Sequence, residues 1–383
     1  MIYLDNSATT PVNDEVAKVV YEALTKEFGN PSSLHGYGVK AEKKINEVRA
    51  LMKKILGIDQ GKIIFTSGGT EANNLAIFGA ARRNKRKKHL ITTVVEHPSV
   101  LEVFSQLERE GYQVTYLPVD SKGKVSLEEL KHSLCQETAL VSIQYVNNEI
   151  GTIQPVEDIG EIIKTSNYNP VFHCDAVQGV LKLQVKPEQL GIDLLSFSGH
   201  KFHAPKGVGG LYIRDDRDIV PLIYGGGQED NLRSGTENVP SILGLGKALE
   251  VVYKHYNAEQ DLLLEKKKKL YEEISNHYHG ASLIGPDINE GAPHILCLGF
   301  ENFKGEVLIH ALEEKGIYAS TGSACASRKK DKSPVLEAID LPAELQEGVV
   351  RFSLSYFNSM DEIKRAAKEV VNSAKELEDF IRG

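Results

Sequence analysis

Between residues 62 and 174 short apolar runs alternate with stretches of helical periodicity, and this alternation restricts the fold more than any other feature of the chain. Strands are expected at 62–66, 90–95, 113–117, 140–146 and 171–174, with helices starting near Thr70, Pro98, Ser126 and Pro155. The pattern predicts an α/β chain with a mostly parallel sheet covered by helices on both faces. Ligands of such sheets gather beyond the carboxyl ends of the strands. Upstream, helical periodicity near 14–26 and 38–56 gives connecting helices; downstream, a long charged helix near 258–277 hands over to a new set of strands and helices. The expected division is a large domain, 14–257, and a smaller α+β domain made of 1–13 plus 258–383.

A net charge of -8 argues against a nucleic-acid or membrane-surface binder. The basic clusters Arg82-Arg-Asn-Lys-Arg-Lys-Lys-His89 and Lys266-Lys-Lys-Lys269 read as solvated ends or faces of helices, and the first lacks the interleaved aromatics of a direct nucleic-acid site. Met1-Ile-Tyr-Leu-Asp5 carries an acid where a signal peptide would be basic and then apolar, and no apolar run approaches the ~18 residues of a membrane span. A cytoplasmic protein is expected. Its four cysteines show no metal-binding spacing, and Cys135, Cys174 and Cys297 lie in or beside apolar or helix-like stretches that suit inert thiols.

The strand ends carry the chemistry. After 62–66 come Ser67, Gly68, Gly69 and Thr70, a helix start whose free N–H groups suit a phosphate, although a plain N-cap reads the same way. His97 sits at the next strand tip with Pro98 at a first helical position, a placement that a structural histidine also fills. Asn147 and Asn148 offer amides for a carboxylate or ring hydroxyl, or simply a turn. Asp175 ends an apolar strand, with Gln178 one helical turn on; a carboxylate there needs a positive partner. Finally Ser196-Phe-Ser-Gly-His-Lys201 leads into the glycine-rich Gly207-Val-Gly-Gly210, placing Lys201 in the loop between two strands beside Ser198 and His200. By itself that motif more often marks a surface lysine in a turn.

The order and spacing of these motifs, together with Tyr3-Leu-Asp-Asn-Ser-Ala-Thr-Thr-Pro11, Arg233-Ser-Gly-Thr-Glu-Asn238, Ser323-Ala-Cys325 and Arg351-Phe-Ser-Leu354, resemble the cysteine desulfurases of the NifS/IscS type over essentially the whole chain. These are enzymes of the class V aminotransferase family, dependent on pyridoxal 5′-phosphate (PLP) and of the transferase fold type I. The resemblance implies that Lys201 holds PLP as a Schiff base and moves the substrate's α-proton, and that Asp175 keeps the pyridine nitrogen protonated. It further implies that His97 stacks on the ring and joins in proton transfer, that Gln178 bonds the phenolic oxygen, and that Gly69, Thr70, Ser198 and His200 surround the phosphate. Thr236 would reach the neighbouring subunit's phosphate, making a homodimer. Asn148 and Arg351 would bind the carboxylate of L-cysteine.

Cys325 lies among small residues, Ser320-Thr-Gly-Ser-Ala-Cys-Ala-Ser327, followed by Arg328-Lys-Lys, a composition suited to a loop that moves; a buried small thiol is the other reading of the residues alone. In the resembling enzymes this thiolate takes sulfur from cysteine as a persulfide, leaves alanine, and passes the sulfur to an acceptor protein in iron–sulfur cluster assembly or tRNA thiolation. The long small-residue loop matches the first of the two desulfurase groups. Ser355 stands where glycine is common, and the chain is expected to lack a C-terminal extension that some relatives use to dock an iron–sulfur scaffold. Selenocysteine lyase and class V aminotransferase activity are the rival enzymatic readings, and an idle homologue in a sulfur-transfer complex is the non-enzymatic one.

Overall fold

The computed structural model describes residues 1–258, 260–322 and 333–382. Its main sheet has seven strands in the spatial order Lys62–Thr66, Gly209–Ile213, Leu194–Ser198, Val171–Asp175, Thr138–Ser142, His89–Thr93 and Gln113–Leu117. All are parallel except Gly209–Ile213, which runs against both of its neighbours. The four strands His89–Thr93, Thr138–Ser142, Leu194–Ser198 and Gly209–Ile213 are buried at every position, as expected of a sheet covered on both faces. A three-stranded antiparallel sheet combines Ala281–Leu283, Ile295–Phe300 and Val349–Ser353. Ile2–Tyr3 pairs in parallel with Ile317–Tyr318.

Two expectations fail locally. The strand read as 140–146 ends at Ser142, because a buried polar knot takes over the backbone. Gln144 N–H donates to Glu96 Oε1 at 3.0 Å, while the amides of Gln144 and Asn147 donate to the Val95 carbonyl at 2.6 and 3.1 Å. Nor is the lysine run of the Gln260–His277 helix a solvated face throughout. Lys266 and Lys267 are buried, with Nζ of Lys266 on the Tyr356 carbonyl (2.9 Å) and Nζ of Lys267 on those of Gly291 and Ala292 (3.2 and 3.0 Å). Long aliphatic stems let each ammonium reach through the core to buried backbone carbonyls. The 82–89 cluster follows expectation better. Arg82 pairs with Glu110 and Arg83 with Asp218, and Lys88 lies over the Tyr112 ring. No described helix is long and apolar enough to cross a membrane.

Candidate active site

The residues that end or follow five strands of the main sheet supply the candidate side chains. At the first, the Gly69–Arg83 helix begins so close to Ser198 that a Cβ on Gly69 would lie 3.4 Å from Ser198 Cβ and 2.7 Å from Val177 Cγ2. Only glycine lets the helix start sit there, with its N–H groups open to an anion. Thr70 is exposed in that first turn, and Ser198 is buried at the end of its strand. Lys201 follows in a short 3₁₀ turn, Gly199–Lys201, and its Nζ donates to the carbonyls of Ser7 (2.5 Å) and Ala8 (2.9 Å). Gln178 Nε2 donates to the same Ser7 carbonyl at 3.0 Å, so the turn after the Ile2–Tyr3 strand forms one wall shared by both side chains. His200 Nδ1 lies 3.2 Å from Thr9 Oγ1 on that wall; burial and the neighbouring Lys201 push its pKa down to about 4, so it is neutral.

Asp175 and His97 are linked by two residues that the sequence did not single out. The buried Asn73 donates one amide hydrogen to Asp175 Oδ2 (2.7 Å) and the other to Ser99 Oγ (2.9 Å). The orientation is forced: Asp175 in its ionised form only accepts, so the amide nitrogen must face it. Ser99 Oγ, already accepting, points its hydrogen at His97 Nδ1 (2.8 Å), which also receives the Ser99 N–H at 3.1 Å as N-cap of the Pro98–Arg109 helix. A nitrogen that accepts twice carries no proton. Neutral His97 therefore holds its hydrogen on Nε2, and burial, partly opposed by Asp175, lowers its pKa.

Arg351, buried in its strand, spreads its fork between Asp5 Oδ1 (Nη2, 2.8 Å) and the Asn148 carbonyl (Nη1, 2.9 Å), while its Nε has no hydrogen-bond partner. The predicted carboxylate-binding pair is thus brought into contact. Thr236 is exposed and lines a small pocket with Ser67 and Arg233; Arg233 ties its loop to the Gly69–Arg83 helix through Glu71 at 2.9 Å. Cys325 lies outside the described residues. Besides Asn73 and Ser99, the sequence reading passed over Lys182, whose buried Nζ donates to the Lys201 carbonyl at 3.1 Å and whose pKa burial and Lys201 push down to about 8. An asparagine inside a helix one turn after Thr70, and a lysine between Leu181 and Leu183, were the available signals.

The class-V aminotransferase family model matches residues 2–366. The chain is 44% identical over 363 residues to the cysteine desulfurase IscS of Dictyoglomus turgidum, spanning 94% of this chain and 91% of that protein. It is 43% identical over 386 residues to the cysteine desulfurase IscS of Methanosarcina thermophila, spanning 99% and 93%. A solved NifS-like protein superposes with a TM-score of 0.90 at 40% identity over 97% of this chain and 98% of that one. A NifS-like protein from Rickettsia africae superposes with a TM-score of 0.84 at 30% identity over 99% of each. The chain belongs to the class-V aminotransferase family, with the PLP-dependent fold type I. Within that family it belongs with the cysteine desulfurases of the NifS/IscS type, and its cofactor is pyridoxal 5′-phosphate. The pocket suits that group: an amine at Lys201, a carboxylate at Asp175, and the helix start at Gly69 beside Ser198 offer its aldehyde, pyridinium and phosphate the partners each requires.

Proposed function

We propose that this desulfurase converts L-cysteine to L-alanine using Lys201, His97 and Cys325 as its catalytic residues. The observation that carries the reading is the joining of Asp175 to His97 through Asn73 and Ser99 within the pocket that holds Lys201. PLP, when bound, supplies an electron sink conjugated to the substrate's α-carbon. Lys201 would bind it covalently and carry the α-proton, Asp175 would pair with its ring nitrogen, and Gln178 would face its phenolic oxygen. Gly69, Thr70, Ser198 and His200, with Thr236 from a neighbouring copy, would hold its phosphate. Asn148 and Arg351 would orient the substrate carboxylate. His97, neutral with its hydrogen on Nε2, is suited to stacking and to donating a hydrogen bond from that nitrogen.

The Cys325 thiolate attacks the substrate sulfur: an S–S bond forms as the substrate's C–S bond breaks, the bonding pair stays with carbon, and protonation there gives alanine. The outer sulfur of the persulfide then passes to an acceptor protein of iron–sulfur cluster assembly or tRNA thiolation. The large domain, 14–257, would carry PLP, and the small domain, 1–13 plus 258–383, would carry Cys325 and Arg351, in a cytoplasmic homodimer.

Incubation of the purified holoenzyme with L-cysteine should give alanine and, by intact mass under non-reducing conditions, one added sulfur on Cys325. Lys201→Ala should lose the visible absorbance of the bound cofactor and at least about a hundredfold in rate, whereas Cys325→Ser should keep the cofactor and form no persulfide. Full alanine production by Cys325→Ser would remove Cys325 from the mechanism.

A further inference from the structure

Glu149 follows Asn148, the residue whose carbonyl is bonded to Arg351. Its Oε2 accepts a hydrogen bond from Ser333 Oγ at 2.6 Å. Ser333 stands eight positions after Cys325, at the start of the Pro334–Ala338 helix, where its hydroxyl oxygen also accepts from Leu336 N–H at 3.3 Å. A Cβ on Gly322, three positions before Cys325, would lie 3.5 Å from the same Oε2. One carboxyl oxygen thus bonds the chain after the cysteine-bearing stretch and lies near the chain before it. The surroundings hold it there. Ile150, next in sequence, packs with Val95 from the His97 turn and with Val335, Leu336 and Ile339 of the short helix. Burial pushes the Glu149 carboxyl up to about 7 against the pull of Arg351, so the contact is with a group withdrawn from water.

We propose that Glu149 is a positioning residue for sulfur abstraction, joining the arm that would hold the substrate carboxylate, Asn148 and Arg351, to Ser333, eight positions after Cys325. This rests on Cys325 being the nucleophile. The groups that would orient the substrate and the stretch that carries the thiol are far apart in sequence, and the Glu149–Ser333 bond ties one part of the chain to the other. Misplacing reacting atoms by about an ångström costs on the order of a hundredfold in rate without weakening substrate binding.

The test is a double-mutant cycle on the holoenzyme, reading persulfide formation on Cys325 in a single turnover together with steady-state kcat and KM. Glu149→Ala and Ser333→Ala should each slow persulfide formation by about tenfold or more, with KM for L-cysteine within about twofold and the cofactor absorbance unchanged. The double variant should be no slower than the slower single one, since both remove the same link. Glu149→Gln and Ser333→Thr, which keep acceptor and donor, should restore most of the rate. Multiplying effects in the double variant would overturn the proposal, as would a raised KM with kcat intact. If Cys325→Ser still forms alanine, the nucleophile assignment fails; if it does not and Glu149→Ala is unimpaired, the anchor alone fails.

Discussion

Glu96 shows how far this protein will withdraw a charge from water beside its own active site. It is buried, with Oε1 accepting from Thr93 Oγ1 at 2.7 Å and from Gln144 N–H, and Oε2 without a hydrogen-bond partner. Burial, with a smaller push from Asp175, raises its pKa from 4.5 to about 8. The folded protein therefore holds this proton more tightly than the unfolded chain does, and above pH 4.5 the residue costs stability, increasingly until pH 8. Glu96→Gln, which mimics the protonated form, should match the wild type near pH 4.5 and gain on it as pH rises to 8, read from urea midpoints. A stability difference that stays flat across that window would mean that Glu96 is ionised in the fold. The role of Glu96 was illegible from its residue type, since His97 beside it is the feature that stands out. Lys201 and Asp175 stood out through the order and spacing of the motifs around them and not through their residue types alone; Asn73 and Glu149 gain their meaning only from partners 26 to 184 positions away.

Among the elements, the turn Glu229–Asn231 carries the clearest strain. Glu229, Asp230 and Asn231 take φ of 46°, 58° and 63°, a left-handed run that costs on the order of 1 kcal/mol or more per residue. The compensation is local. Glu229 receives both arms of Arg49 at 2.9 Å and the Phe65 N–H at 2.8 Å, which fastens the turn to the Gly36–Leu56 helix and to the edge strand Lys62–Thr66. The loop bearing Arg233 and Thr236 leaves from that turn and inherits its placement. Arg49→Met should destabilise the protein by about 3–5 kcal/mol, because it strands a buried carboxylate. A loss under about 1 kcal/mol by denaturant titration would show that the turn holds itself. Strand and helix identities were legible here because each apolar run is bounded by turn residues. The early end of Thr138–Ser142 was not, since hydrogen bonds from Gln144 and Asn147 to Val95 override a run of residues that favour strand.

At the scale of the molecule, large apolar side chains between residues 21 and 39 are exposed. Tyr21, Leu24, Phe28, Leu34, Tyr37 and Val39 are each more than half exposed, and the Phe28 and Tyr37 rings stack at 5.7 Å. Soluble monomers rarely leave so many large side chains together in water. A second copy of the chain is the occupant that the Thr236 reading requires. Leu24→Asp with Phe28→Asp should convert a dimer to a monomer in sedimentation equilibrium and lower cofactor retention; an undiminished dimer would place the interface elsewhere. The lysine run was the reverse case, read as wet and found half dry, because a charge in sequence says nothing about the length of stem that carries it inward. That run makes Lys266 to Lys269 a built-in reporter. Amine-reactive reagents should acylate the outer pair at once and reach Lys266 and Lys267 only when the Gln260–His277 helix lifts from its carbonyls, so the lag between the two reactions times the opening of the fold.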